Sequence, residues 1–132
     1  MAEPVVECTA PPERLWELVA RPDNWPQWSP HVRRAEGLGS PEVVEGAHGK
    51  VVLRGGVKLP AVIAEVVPGR SWSWRVGGLS IDHVITPTSG GSRLEMPVEA
   101  VGRLWAPAAA AYAPLVAAIA RRVARVAESD PG

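Results

Sequence analysis

The chain has 132 residues, a mass of 14.0 kDa and 14 residues of each charge sign, so its net charge is zero. This length predicts one domain over residues 1–132, and the single Cys8 excludes an intrachain disulfide, while the balanced charge excludes the positive field of a nucleic-acid-binding protein. The opening Met1-Ala2-Glu3-Pro4 lacks a basic stretch and an apolar run, so we expect no secretory signal and a cytoplasmic location.

The N-terminal third predicts one strand followed by two short helices. Residues 4–8 are rich in Val and indicate a strand. A helix is expected next, capped by Thr9 or Ala10, with Pro11-Pro12 in its first turn and an apolar face that includes Leu15 and Val19. The sequence Arg21-Pro22-Asp23 ends that helix, and residues 24–28 predict a second short helical turn.

The middle of the chain has the pattern of an antiparallel meander. Paired glycines and Pro-Gly turns separate β-branched and aromatic segments of strand length, at residues 50–54, 57–67, 70–76, 80–88 and 92–101. Trp72, Trp74 and Val76 alternate with polar residues, so they are expected to share the covered face of the sheet. Counting the first strand, we expect a curved sheet of six to seven strands.

The C-terminal segment predicts a long amphipathic helix over residues 105–128, because apolar side chains recur every three or four positions. Residues 104–120 carry no formal charge, but this run is shorter than the roughly 20 residues of a membrane span and contains Pro107 and Pro114. We therefore expect a helix that lies against its own protein, bent at Pro114, and no stable membrane insertion. The predicted class is α+β, with the sheet wrapped around this helix and a cavity between them.

Four motifs support a family resemblance. The segments are Ala10-Pro11-Pro12-Glu13-Arg14-Leu15-Trp16-Glu17-Leu18-Val19, Pro22-Asp23-Asn24-Trp25-Pro26-Gln27-Trp28, Val66-Val67-Pro68-Gly69-Arg70-Ser71-Trp72-Ser73-Trp74-Arg75 and Gly91-Ser92-Arg93-Leu94. Together they resemble the SRPBCC superfamily of helix-grip proteins, which includes START lipid-transfer domains and birch-pollen-allergen-like proteins. The bacterial polyketide cyclase/dehydrase and lipid transport subgroup is most similar. The resemblance implies a helix-grip fold, a hydrophobic ligand in the cavity, a cytoplasmic location and no obligatory metal or cofactor.

Inward strand and helix positions define the predicted ligand-binding residues. They are Leu59, Ala61, Ile63, Trp72, Trp74, Ile81, His83, Ile85, Leu94, Met96, Val98, Trp105, Ala109, Tyr112 and Val116. The chain has six Trp, one Tyr and no Phe, and large flat side chains with a polar edge are typical of apolar pockets. Trp16, Trp25 and Trp28 are expected mainly to stabilise the fold, with Trp28 also close to the cavity mouth.

Two polar residues are candidates for chemistry in the cavity. His83 shares a strand face with Ile81 and Ile85, and it is either a core histidine bonded to a backbone carbonyl or water, or a polar anchor or proton carrier that faces ligand. Tyr112 either packs in the core or donates a hydrogen bond to a ligand carbonyl. Arg54 has two open orientations, with the surface preferred because arginine is rarely buried without a partner.

The histidines His31, His48 and His83 lack the spacing of a zinc site, so no metal is expected. Three hypotheses on function remain open. The first is binding of a small apolar molecule such as a lipid or polyketide. The second is an enzyme of the polyketide cyclase or dehydratase type that uses His83 and Tyr112, and the third is a protein-interaction module with a filled core. The sequence leaves the oligomeric state open.

Overall fold

A computed structural model of the chain describes residues 4–129. Two short segments lie outside the described residues, Met1-Ala2-Glu3 and Asp130-Pro131-Gly132. The first belongs to the start of the chain in which no secretory signal is expected. The elements in chain order are β1 (Val5–Cys8), α1 (Pro12–Ala20), a 3-10 turn (Pro22–Asn24), α2 (Trp25–Trp28), β2 (Val32–Glu36), β3 (His48–Leu53), β4 (Lys58–Val67), β5 (Ser71–Val76), β6 (Leu79–Thr88), β7 (Gly91–Glu95), β8 (Val98–Ala100), a 3-10 turn (Arg103–Trp105) and α3 (Ala106–Ser129).

The strands form one antiparallel sheet with the order β1-β7-β6-β5-β4-β3-β2, and β8 pairs with β6. This arrangement confirms the α+β class and the helix-grip order of elements. The expected single strand over residues 92–101 is wrong, because Pro97 divides it into β7 and β8. Both strands pair with β6, β7 with residues 84–88 and β8 with residues 79–81. The expectation of six to seven strands also missed β2, an edge strand whose exposed Arg33 and Arg34 hide its apolar pattern.

The start of α1 differs from the prediction. The residue before the helix is Pro11, and no side chain caps it, so Thr9 and Ala10 are not the cap. Proline in the first helical turn has no N–H to satisfy, which reduces the need for a capping side chain. Thr9 instead bonds the far end of the chain, since its backbone N–H and its hydroxyl both donate to Glu128 Oε2, at 2.8 and 3.2 Å.

The segment after α1 satisfies the carbonyls at the end of that helix. A helix leaves its last four carbonyls without internal partners. Here Asn24 Nδ2 donates to Glu17 O, Trp28 Nε1 to Leu18 O, Trp25 Nε1 to Val19 O and Val43 N to Ala20 O, each at 2.9 Å. The motif around Trp25 and Trp28 therefore fixes the junction between the two helices, as the sequence predicted for these tryptophans.

The inner face of the sheet follows the predicted alternation. Ile81, His83 and Ile85 are all buried, and Trp72 is buried while Arg75 on the opposite face is exposed. Helix α1 contacts β6 and β7, and α3 contacts β1, β8 and α1, so the core lies between the sheet and the helices.

Helix α3 packs in the core only through its C-terminal half. Its buried residues begin at Val116 and end at Ala127, whereas Leu104 before the helix is 94% exposed and Trp105 is 43% exposed. By length and composition the segment Arg103–Ser129 could cross a membrane, and 22% of its most apolar window is buried. The expectation of a helix lying against its own protein is confirmed for the second half, and the first turns, which are mostly exposed, extend over the edge of the cavity described below.

Candidate functional site

A cavity of about 430 Å³ lies between α2, the inner face of β2 to β6 and the middle of α3. The lining residues that were predicted from the sequence are Leu59, Trp72, Trp74, Ile81, His83, Met96, Trp105, Tyr112 and Val116. These side chains come from elements far apart in sequence, and the fold brings them to one space.

Six predicted ligand-binding residues lie away from the cavity wall. The structure places Ala61, Ile63, Ile85 and Leu94 in the core, and Val98 and Ala109 are half-buried. The inward parity of the five strand residues is correct, but the sheet extends beyond the cavity. Ile85 and Leu94 are register partners on β6 and β7, the two strands that α1 contacts, so this part of the inner face packs against a helix.

Sequence reasoning missed part of the opposite wall. Trp25 from α2 lines the cavity beside Trp28, which was expected near the cavity, and both also bond the end of α1. Val51 and Leu53 line it from β3. Both pairs have a usable signal, because residues three apart share a helix face and residues two apart share a strand face. His31 is exposed and also lines the cavity.

A cluster of aromatic rings lines one side of the cavity. Trp72 is parallel to Trp25, with ring centroids 5.6 Å apart, and parallel to His83, with centroids 3.8 Å apart. Trp74 meets all three rings edge-on, at centroid distances of 5.1 to 6.1 Å. Offset stacking and edge-to-face contacts are the favourable aromatic geometries, so this cluster holds each ring in a defined orientation.

His83 is neutral in this environment. Its Nδ1 lies 3.2 Å from the backbone oxygen of Trp72, and because a carbonyl can only accept, Nδ1 carries the proton and donates it. Burial lowers the pKa of His83 from 6.5 to about 3, since desolvation of the imidazolium outweighs the opposing effect of that hydrogen bond. The hydrogen bond to a backbone carbonyl that the sequence suggested for His83 is present, and the same residue also lines the cavity.

Other polar groups at the wall are few. Tyr112 is half-buried, and burial raises the pKa of its phenol, which stays protonated at neutral pH. The buried indole nitrogens Trp72 Nε1 and Trp74 Nε1 have no hydrogen-bond partner within residues 4–129. Among the described wall residues there is no Asp, Glu, Lys or Arg. Arg54 is exposed, and its Nε donates to the backbone oxygen of Pro30, which confirms the surface orientation.

Trp105 closes one side of the cavity. Its indole lies over the turn between β5 and β6, so close to Gly78 that a Cβ there would overlap the ring atoms Cγ, Cδ1 and Cδ2. The turn can hold the indole only because position 78 has no side chain. In the part of the chain that is described, no group of three or more His, Cys, Asp or Glu side chains could hold a metal ion.

Known protein families and solved structures share this fold. Residues 2–128 match the family model for polyketide cyclase / dehydrase and lipid transport, and no curated protein matches significantly. Protein MLL2253 from Mesorhizobium loti is 14% identical, with a TM-score of 0.79 over 97% of this chain and 96% of that one. The Aha1 dimer from Colwellia psychrerythraea is 14% identical, with a TM-score of 0.75 over 97% and 96% of the two chains. DynU16, from the dynemicin biosynthetic locus, is 21% identical, with a TM-score of 0.74 over 95% of this chain and 46% of its own.

At these low identities, the solved structures show a shared fold and nothing about a shared ligand. The family match has more weight because it extends over nearly the whole chain, including β1, the paired short helices and α3. The predicted resemblance is confirmed, and the chain belongs to the polyketide cyclase/dehydrase and lipid transport family, which is of the SRPBCC type.

Proposed function

We propose that this protein is a single cytoplasmic domain that binds one small, mostly apolar molecule, such as a lipid or a polyketide, in the cavity between the sheet and α3. The observation that carries the proposal is the cavity itself. Its volume of about 430 Å³ falls within the roughly 300–1,000 Å³ typical of ligand sites, and its wall is largely aromatic and aliphatic.

The polar groups of the wall support a ligand with some oxygen. The phenol of Tyr112 lines the cavity and stays protonated, so it can donate to a ligand carbonyl or hydroxyl. The indole nitrogens of Trp72 and Trp74 also lack acceptors within residues 4–129, but neighbouring atoms cover them fully, so a ligand in the cavity does not reach them.

The alternative is an enzyme of the cyclase or dehydratase type. It is favoured by the placement of His83 and Tyr112 in the wall of one apolar cavity, and DynU16 shows that the fold occurs in a biosynthetic locus. However, a general base is most effective with a pKa near the working pH, and a pKa of about 3 makes His83 a weak base. This difference of about four pH units supports binding over proton transfer by His83. The interaction-module hypothesis needs a filled interior, and the cavity argues against it.

The test is saturable binding of a neutral fluorescent hydrophobe, N-phenyl-1-naphthylamine, to the purified protein. We expect binding to the wild type and its loss in Ile119→Trp, which fills the cavity from α3. Ala118→Trp is the matched control, because its side chain is on the exposed face of the same helix turn and should leave binding unchanged. Absence of saturable binding to the wild type, or equal binding to both variants, would overturn the proposal.

A further inference from the structure

His83 presents a hydrogen-bond acceptor inside the cavity that no described residue satisfies. The residue is 2% exposed and lines the cavity, and Nδ1 is already bonded to the Trp72 carbonyl. The second ring nitrogen, Nε2, therefore has a free lone pair and no proton. Within residues 4–129, no hydrogen bond reaches it.

The ring that carries this acceptor is held in place. The bond from Nδ1 to the Trp72 carbonyl restricts rotation of the imidazole, and the parallel indole of Trp72, 3.8 Å away between centroids, restricts its tilt. Trp74 approaches the same ring edge-on at 6.1 Å. A fixed polar group in an apolar wall acts as a selectivity element, because a ligand that cannot match it leaves it desolvated and unpaired.

The surrounding charges restrict which donors can reach Nε2. The described wall has no carboxylate to neutralise a ligand ammonium group and no Lys or Arg to pair with a ligand carboxylate. Burial of an unpaired charge in such a site is costly, so the donor belongs to a neutral molecule. Ketone and ether oxygens only accept, and they would meet the Nε2 lone pair without forming a bond.

A hydroxyl matches this acceptor and the donor in the same wall. Its hydrogen donates to Nε2, and its oxygen can accept at the same time from a donor such as the phenol of Tyr112, which lines the same cavity. We propose that the ligand of this cavity is a neutral hydrophobe with a hydroxyl group, a phenol, enol or alcohol, whose O–H donates to His83 Nε2. The inference rests on the proposed function and adds the chemical group that the site selects.

Four naphthalene probes of similar shape test the inference at pH 7. They are 2-naphthol, 2-methoxynaphthalene, naphthalene and 2-naphthoate, and their dissociation constants are measured by calorimetry or by quenching of Trp fluorescence. We expect 2-naphthol to bind the wild type about tenfold more tightly than 2-methoxynaphthalene or naphthalene, and 2-naphthoate to bind least tightly.

Two variants assign the preference to one residue. In His83→Phe, which keeps a flat ring beside Trp72 but has no acceptor, the ratio between 2-naphthol and 2-methoxynaphthalene should fall to within about twofold. Ser29→Ala is the matched control, because it also removes one polar group from the wall, and it should retain the preference. If His83→Phe does not fold, the ¹⁵N resonance of His83 Nε2 in the wild type gives the same information, since it should shift with 2-naphthol and not with 2-methoxynaphthalene.

The outcomes separate the two proposals. If all four probes bind the wild type equally, or 2-naphthoate binds most tightly, the hydroxyl inference is wrong and the binding function stands. A preference that persists in His83→Phe, or an Nε2 resonance that does not respond to 2-naphthol, also overturns it. If none of the four probes binds but N-phenyl-1-naphthylamine does, the hydroxyl inference is also wrong, and if that probe does not bind either, the proposed function itself fails.

Discussion

Substitution of Gly78 by alanine tests the closure of the cavity by Trp105. The new methyl group would overlap the indole, so either the ring or the turn must move. The backbone at Gly78 lies outside the left-handed region, and alanine adopts its conformation without strain. Trp105 is 43% exposed and has free space on its outer side, so we expect the ring to swing outward.

The cost follows from the burial that the ring loses. A tryptophan buries about 150–250 Å² when it is fully covered, and more than half of Trp105 is covered, so at most about 100 Å² becomes exposed when the ring swings out. At about 25 cal/mol per Å², this exposure destabilises the fold by up to about 2.5 kcal/mol. Replacement of glycine by alanine also lowers the conformational entropy of the unfolded chain, which stabilises the fold by about 0.4–1 kcal/mol. The net decrease in the free energy of unfolding is up to about 2 kcal/mol, or roughly 8 °C in Tm for a domain of this size.

Chemical and thermal denaturation measure this decrease, with Gly90→Ala as the matched control. Gly90 is also a hairpin glycine outside the left-handed region, and a Cβ there meets no atom within 4 Å, so its substitution should be neutral or slightly stabilising. In a Trp105→Ala background, Gly78→Ala should lose most of its effect. The reasoning is refuted if Gly78→Ala behaves like Gly90→Ala, or if it costs the same with and without the indole.

Three further predictions concern His83, Cys8 and Glu128. Between pH 6.5 and 3 the unfolded chain protonates position 83 and the native protein does not, because burial lowers the pKa of His83 to about 3; stability is therefore complete above pH 6.5 and is lost as the pH falls. In urea titrations over this range, the free energy of unfolding of the wild type should fall by up to about 1.4 kcal/mol more per pH unit than that of His83→Phe. Parallel pH profiles would contradict this. Burial raises the pKa of the Cys8 thiol, so a disulfide reagent should label it far more slowly in the native protein than in urea, and rapid native labelling would show that β1 opens. Glu128→Ala removes the acceptor of both Thr9 bonds and should cost about 1 kcal/mol, whereas Arg125→Ala on the exposed face of α3 should cost little.

Local patterns in the sequence determined most of the elements and their faces. Strand alternation correctly placed Trp72, Trp74 and His83 on the covered side of the sheet, because a strand has a strict period of two. The helical period predicted α3 to within about one residue of its observed ends. These features depend on contacts between residues close in sequence, so a single sequence is enough to predict them.

The tertiary structure decided which covered positions line the cavity and which fill the core. Ile85 and His83 lie on the same face of β6, yet α1 covers the end of the sheet near Ile85, while His83 lies at the open space beside α3. Trp25 donates a hydrogen bond to the end of α1 and also lines the cavity, and Trp105 packs against Gly78 in a turn distant in sequence. Such outcomes depend on how far each helix extends across the sheet. That distance is set by packing between segments remote in sequence, and periodicity within one segment contains no information on it.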